Sequence, residues 1–64
     1  MTYLELLTWA KMGIRTEIAQ ADRMHTAAMN ARDDAALAIA QKYIDDLEGK
    51  LDIIEALEEI HNRT

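Results

Sequence analysis

Two histidines close carboxylate-x-x-His motifs: Asp22-Arg23-Met24-His25 and Glu58-Glu59-Ile60-His61. Residues three apart share a helix face, and helical bundles hold paired iron ions with this spacing. Such a site needs further glutamates at facing positions, and none lies at a matching place. In a hairpin the two motifs fall on the order of 30 Å apart. The sequence therefore predicts no metal site and no cofactor. His25 reads as a partly buried contact residue, and His61 as a cation complementing a helix C-terminus. Nucleophilic chemistry has less support still. There is no Cys and no Ser. No Gly-rich phosphate loop is present, and no Thr has a base at a recognisable spacing. No enzymatic activity is expected.

The basic residues are more informative. Residues 1–32 carry Lys11, Arg15, Arg23 and Arg32 against Glu5, Glu17 and Asp22, a net +1. Residues 33–64 carry nine acids against Lys42, Lys50 and Arg63, a net −6. The guanidinium fork suits phosphate. Thr16, Thr26 and Asn30 add polar groups around Arg23. The candidate ligand set is Arg15, Arg23, His25 and Thr26, with Tyr43 or Trp9 as a stacking platform. Tyr43 is expected near Arg23 and His25. The implied ligand is an anionic, nucleotide-like small molecule. In the competing reading Lys11 snorkels and the arginines pair with acids of the second half or of a partner subunit. The acidic residues Asp45, Asp46, Glu48, Asp52, Glu55 and Glu59 read as a solvated face. As a functional face they would meet a basic host protein or imitate phosphates. The overall charge of −5 argues against general nucleic-acid binding. The four methionines (Met1, Met12, Met24, Met29) read as gap fillers, with Met12 and Met24 also suited to an adaptable surface.

Helices must position these groups. The chain lacks Pro and is rich in Ala, Leu, Glu and Met, which favours helix throughout. Thr2-Tyr3-Leu4-Glu5 is a capping box, with Met1 and Leu6 at the hydrophobic-staple positions. From there a seam runs in steps of three and four: Leu4, Leu7, Lys11, Ile14, Ile18, Ala21, His25, Ala28. A second seam follows: Leu37, Ala40, Ile44, Leu47, Leu51, Ile54, Glu58, His61. Both are heptad patterns. The nine-residue step from Ala28 to Leu37 breaks the phase, so a turn is placed at about 30–33. Asn30 is expected to end the first helix in a left-handed conformation. Asp33 or Asp34 is expected to cap the second. The chain is thus read as one domain over residues 1–64, with helices at about 3–29 and 34–62. Facing residue numbers should sum to about 65, which pairs Ile14 with Leu51, Ile18 with Leu47, Ala21 with Ile44, and Lys11 roughly with Ile54. A third helix starting at Gly49 and a single long helix with a stutter are the competing layouts.

A hairpin of this size cannot bury all its apolar surface. Ile39, Tyr43, Ile53, Leu57 and Ile60 form a second stripe on the second helix. Leu6, Trp9 and Met12, with Gly13, Ala19 and Ala27, form another on the first. Exposed stripes of this length mark an interface, and a lone core this small supplies only about 3–5 kcal/mol. The fold expected is all-α: an antiparallel two-helix hairpin assembling into a homo-oligomeric bundle, a dimeric four-helix bundle in its simplest form. No stretch approaches the roughly 18 apolar residues of a membrane span. MTYLELLTWAKMG lacks a basic start and is interrupted by Glu5, so no targeting segment is expected.

In layout the chain is similar to the Rop-type plasmid RNA-binding proteins, also dimerising hairpins of roughly this length. Its short, acidic, Cys-free helical character also resembles phage-encoded inhibitors of bacterial defence, some of which sequester nucleotide signals between subunits while others block a host protein. The first expectation is a non-catalytic homo-oligomer that sequesters an anionic ligand at an intersubunit site, in the cytoplasm of a bacterial host if phage-encoded. The alternatives are an acidic protein-binding inhibitor or adaptor acting through the second helix, and a Rop-style RNA-binding hairpin.

Overall fold

Local signals at three points set the helix limits. In the computed structural model, which describes residues 1–63, Thr2 is extended (φ −79°, ψ 163°) and its Oγ1 accepts the Glu5 amide at 3.1 Å. This starts α1, Tyr3–Ala31. Only half of the capping box forms, because the Glu5 carboxylate makes no return bond to Thr2. Met1 is 84 % exposed and Leu6 55 %, so the staple is not drawn tight.

The reversal is shorter and later than the sequence predicts. Asn30 stays helical, and Arg32 is the left-handed residue (φ 54°, ψ 38°). The Arg32 amide donates to Met29 O at 3.1 Å, and the Asp33 amide to Ala28 O at 3.0 Å. These two bonds make a Schellman motif, which satisfies the last carbonyls of α1. Local preference for Asn in the left-handed region loses here to the bonds available two residues on. Asp33 then serves α2: its Oδ1 accepts the Ala36 amide at 3.1 Å, and its carbonyl accepts the Leu37 amide at 2.9 Å. Asp34 sits in the first turn, where its charge opposes the helix dipole. Helix α2, Asp34–Arg63, runs unbroken through Gly49, so neither the three-helix nor the single-helix layout is adopted.

The two helices pack antiparallel along the seam read from the sequence. From Leu7 to Ala28 every seam residue is buried or half-buried, as is every one from Leu37 to Glu58. At the centre Ala21, Ile44 and Leu47 form the buried cluster, with Ile14 and Ile18 packed against it. Ala21 has no exposed surface at all; its small side chain lets the two backbones approach where Ile44 and Leu47 fill the space. The seam opens at its far end, where Leu4 and His61 are exposed, although the Tyr3 and His61 rings meet at 5.5 Å.

Lys11 occupies a half-buried seam position, and its side chain extends beyond the level of Ile54. Its Nζ reaches Glu58 Oε1 at 2.8 Å, and the two side chains keep 22 % and 17 % of their surface. Ile54 has no charge to offer an ammonium, whereas the flexible lysine stem reaches the next seam acid about one turn further along. The pair neutralises two charges at positions where the pattern otherwise calls for apolar residues.

The turn geometry gives a direct test. Arg32→Gly removes the Cβ strain at a left-handed position and is expected to stabilise the fold by about 0.5–1 kcal/mol. Asp33→Ala removes the cap of α2 and is expected to cost about 1 kcal/mol. Urea denaturation at fixed protein concentration measures both; equal stabilities for the two variants would contradict this assignment of the turn.

Candidate functional site

Each helix has two flanks beside its seam, and antiparallel packing brings like flanks together. On one side lie Tyr3, Leu6, Ala10, Gly13, Glu17, Gln20 and Met24 of α1 with Ile39, Tyr43, Ile53, Leu57 and Ile60 of α2. Two observations place them together. The Tyr43 hydroxyl donates to Glu17 Oε2 at 3.3 Å, and a solvent-open groove of about 350 Å³ is lined by Gln20, Ala21, Met24, Ile39, Ala40 and Tyr43. On the other side lie Thr8, Arg15 and Asp22 of α1 with Gln41, Glu48, Glu55 and Asn62 of α2. One flank of the hairpin is thus largely apolar and the other polar.

The apolar flank is open. Leu6, Ile39, Tyr43, Ile53, Leu57 and Ile60 are all exposed, Ile39 by 69 % and Ile53 by 63 %. Of the interface candidates, these six share this flank. Trp9 and Met12 are also exposed, but helical spacing puts them on the outer side of α1, away from α2.

The candidate ligand residues do not converge within one chain. Arg15 lies on the polar flank, and Arg23 and Trp9 on the outer side of α1, with Thr26 between them in angle. Trp9 and Arg23 are about 21 Å apart along the axis. Thr26 spends its hydroxyl proton on Asp22 O at 3.0 Å, as Thr16 does on Met12 O. His25 is half-buried in the seam. Tyr43 contacts Glu17 and lines the groove with Gln20 and Met24, not with Arg23 or His25. It is level with Asp22 in the axial direction, as the register requires, but Asp22 and Arg23 project from other sides of α1. Level alone does not fix face, and this is why the expected Tyr43–Arg23 neighbourhood does not form. Among the described residues the ion pairs are Lys11–Glu58 and Arg63–Glu59, and neither Arg15 nor Arg23 has an acidic partner.

No group of three His, Asp or Glu residues that could hold a metal occurs among the described residues. The groove is lined by no acid, base or thiol apart from the Tyr43 phenol. No helix among the described residues is long and apolar enough to cross a membrane. In comparisons with protein-family models, curated proteins and solved structures, nothing matches this chain.

Sequence reasoning missed Glu17, Gln20 and Met24 as partners of Tyr43. Heptad spacing carries the signal, since each of them lies on the Tyr43 flank, whereas axial register alone does not distinguish flanks. The Glu17 carboxylate perturbs the titration of Tyr43. Its negative charge opposes formation of a phenolate, and partial desolvation and the hydrogen bond act in the same direction, so the Tyr43 pKa is raised above 10.0. The folded state then holds this proton more tightly than the unfolded chain. The associated stabilisation is present below the unfolded-state pKa and is lost as pH climbs through the raised value. In a Tyr3→Phe background, Glu17→Gln is expected to return the Tyr43 titration toward the ordinary value near 10, read by phenolate ultraviolet absorbance. An unchanged titration would acquit Glu17 as the cause.

Proposed function

We propose that this chain is a non-catalytic binding protein that acts as a homo-oligomer, in its simplest form a dimeric four-helix bundle, and holds an anionic, nucleotide-like ligand where copies meet. The observation that carries the assembly is the open apolar flank. The hairpin extends over 48 × 17 × 10 Å, so its broad face offers on the order of 800 Å² per copy, which is what a standard interface takes from each partner. A single two-helix layer has no interior beyond its seam, and the groove beside Tyr43 is open on one side. Any enclosed cavity therefore needs a second copy.

The ligand class follows from Arg15 and Arg23. Both are exposed cations without an acidic partner among the described residues, and Trp9 supplies an exposed ring about 9 Å along the axis from Arg15. Phosphate suits the guanidinium fork, and a base suits the indole face. His25 and Tyr43 belong to other surfaces, so they reach such a ligand only from a second copy. In this reading the chain is a sequestering inhibitor of the phage or mobile-element kind, working in the cytoplasm of a bacterial host.

A second reading rests on the outer side of α2. Asp45, Asp52 and Glu59 are exposed there, with Glu55 beside them on the polar flank, and Gln41 and Arg63 engage only Asp45 and Glu59. That face suits a basic protein, and binding through it would weaken steeply with added salt.

Light scattering coupled to size exclusion at micromolar concentration is expected to give a mass of at least two chains. Thermal shift against a nucleotide panel is expected to show stabilisation that Arg23→Ala removes. A folded solitary chain overturns the assembly. No stabilisation by any nucleotide, or a full shift kept by Arg23→Ala, overturns the ligand assignment.

A further inference from the structure

The second stripe of α2 contains two charges that the chain leaves unused. Ile39, Tyr43, Asp46, Lys50, Ile53, Leu57 and Ile60 follow one another in steps of four and three along the apolar flank. Asp46 and Lys50 are exposed, and although they are four residues apart on one helix they form no ion pair with each other or with any described residue. Two opposite charges stand in the middle of an apolar stripe.

Their placement is symmetrical about Glu48. Asp46 and Lys50 lie two residues to either side, Tyr43 and Ile53 five, Ile39 and Leu57 nine, and Ala36 and Ile60 twelve. Any heptad stripe repeats its spacing in this way. What this one adds is chemistry: apolar residues balance apolar residues, and the one acid balances the one base. A surface that reads the same in both directions with its charges inverted is complementary to itself after a half-turn.

We infer that two copies associate with α2 antiparallel to the α2 of the partner subunit, about a two-fold axis that crosses the apolar flank at the level of Glu48, so that Asp46 meets the partner's Lys50 and Lys50 meets the partner's Asp46. This rests on the homo-oligomer reading above and specifies its geometry. Tyr43 then faces the partner's Ile53, and Ile39 faces the partner's Leu57. Tyr43 and Ile39 border the open groove with Met24, so the partner's Ile53 and Leu57 are the side chains that fill it. The same half-turn lays α1 antiparallel on the partner's α1, where Ala10 and Gly13 permit close approach; a Cβ built on Gly13 meets nothing within 4 Å inside the chain. The other two-fold arrangement, with the axis along the helices, sets α2 against the partner's α1. By the register that levels Tyr43 with Asp22, it sets Glu17 midway between the partner's Asp46 and Lys50 and forms neither Asp46–Lys50 pair, so the charge symmetry of the stripe has no role in it.

Charge exchange tests this geometry. Asp46→Lys leaves two lysines facing two lysines across the axis, and Lys50→Asp leaves two aspartates facing two aspartates. Each variant alone is expected to dimerise more weakly by roughly tenfold or more, because two attractive pairs become repulsive. Mixed in equal amounts, the two are expected to form a heterodimer in preference to either homodimer, and the double variant Asp46→Lys/Lys50→Asp to recover wild-type association. Sedimentation reads the affinities, and native mass spectrometry with one isotopically labelled chain reads heterodimer preference. Should a single variant lose its helix content along with its partner, recovery of that content on mixing gives the same answer. If wild type is oligomeric but the singles associate as it does, or their mixture shows no heterodimer preference, this geometry is overturned while the homo-oligomer reading stands. A monomeric wild type overturns both.

Discussion

The fold depends on a single contact line. A two-helix hairpin has one seam, and everything that holds this chain in shape beyond its helical hydrogen bonds lies along it. At its centre Ala21 is small enough for Ile44 and Leu47 to close over it, leaving no room for water. The close approach of backbones there fixes the helix separation. The Lys11–Glu58 pair then fixes their sliding position, since a shift by one heptad would leave two charges half-buried and unmatched. Stability and register are thus divided between different residues of the same line: apolar packing in the middle, charge matching towards the open end.

One seam also means that most apolar side chains must stay outside it. The buried apolar set is limited to Leu7, Ala21, Ala28, Ala40, Ile44 and Leu47. Larger residues, including Trp9, Ile39, Ile53 and Ile60, are exposed. Because antiparallel packing brings like flanks together, the stripes beside the two seams join into one broad face instead of scattering. Local order is expected to follow the same gradient. The turn end is tied by the Schellman bonds and the Asp33 cap, while the open end relies on exposed contacts near Tyr3 and His61 and is the place where opening costs least.

The placement of charge links this shape to its use. Arg15 and Arg23 stand on parts of α1 that neither the seam nor the apolar flank covers, and so do the α2 acids Asp45, Glu48, Asp52, Glu55 and Glu59 on their own helix. An assembly through the apolar flank would leave both sets facing solvent. An antiparallel α2 pair would gather the acids along one edge of the bundle and the arginines along the opposite edge. The arginines and the outward acids could then be altered by substitution without touching the apolar contacts that hold the copies together.

Amino-acid order alone determined the two helices, their seams and the antiparallel sense, because a period near 3.6 broken by a nine-residue step admits few other solutions. It also determined which residues would be left over as an apolar stripe on α2. Only the tertiary structure decided the site of the turn: Arg32, not Asn30, takes the left-handed conformation, because the bonds from Arg32 and Asp33 close the helix there and local propensity is too weak to move them. It also decided neighbours across the seam. Lys11 found Glu58 and Tyr43 found Glu17, since contacts between long side chains depend on flank and reach as well as on axial level, and a one-dimensional register supplies only the last of these.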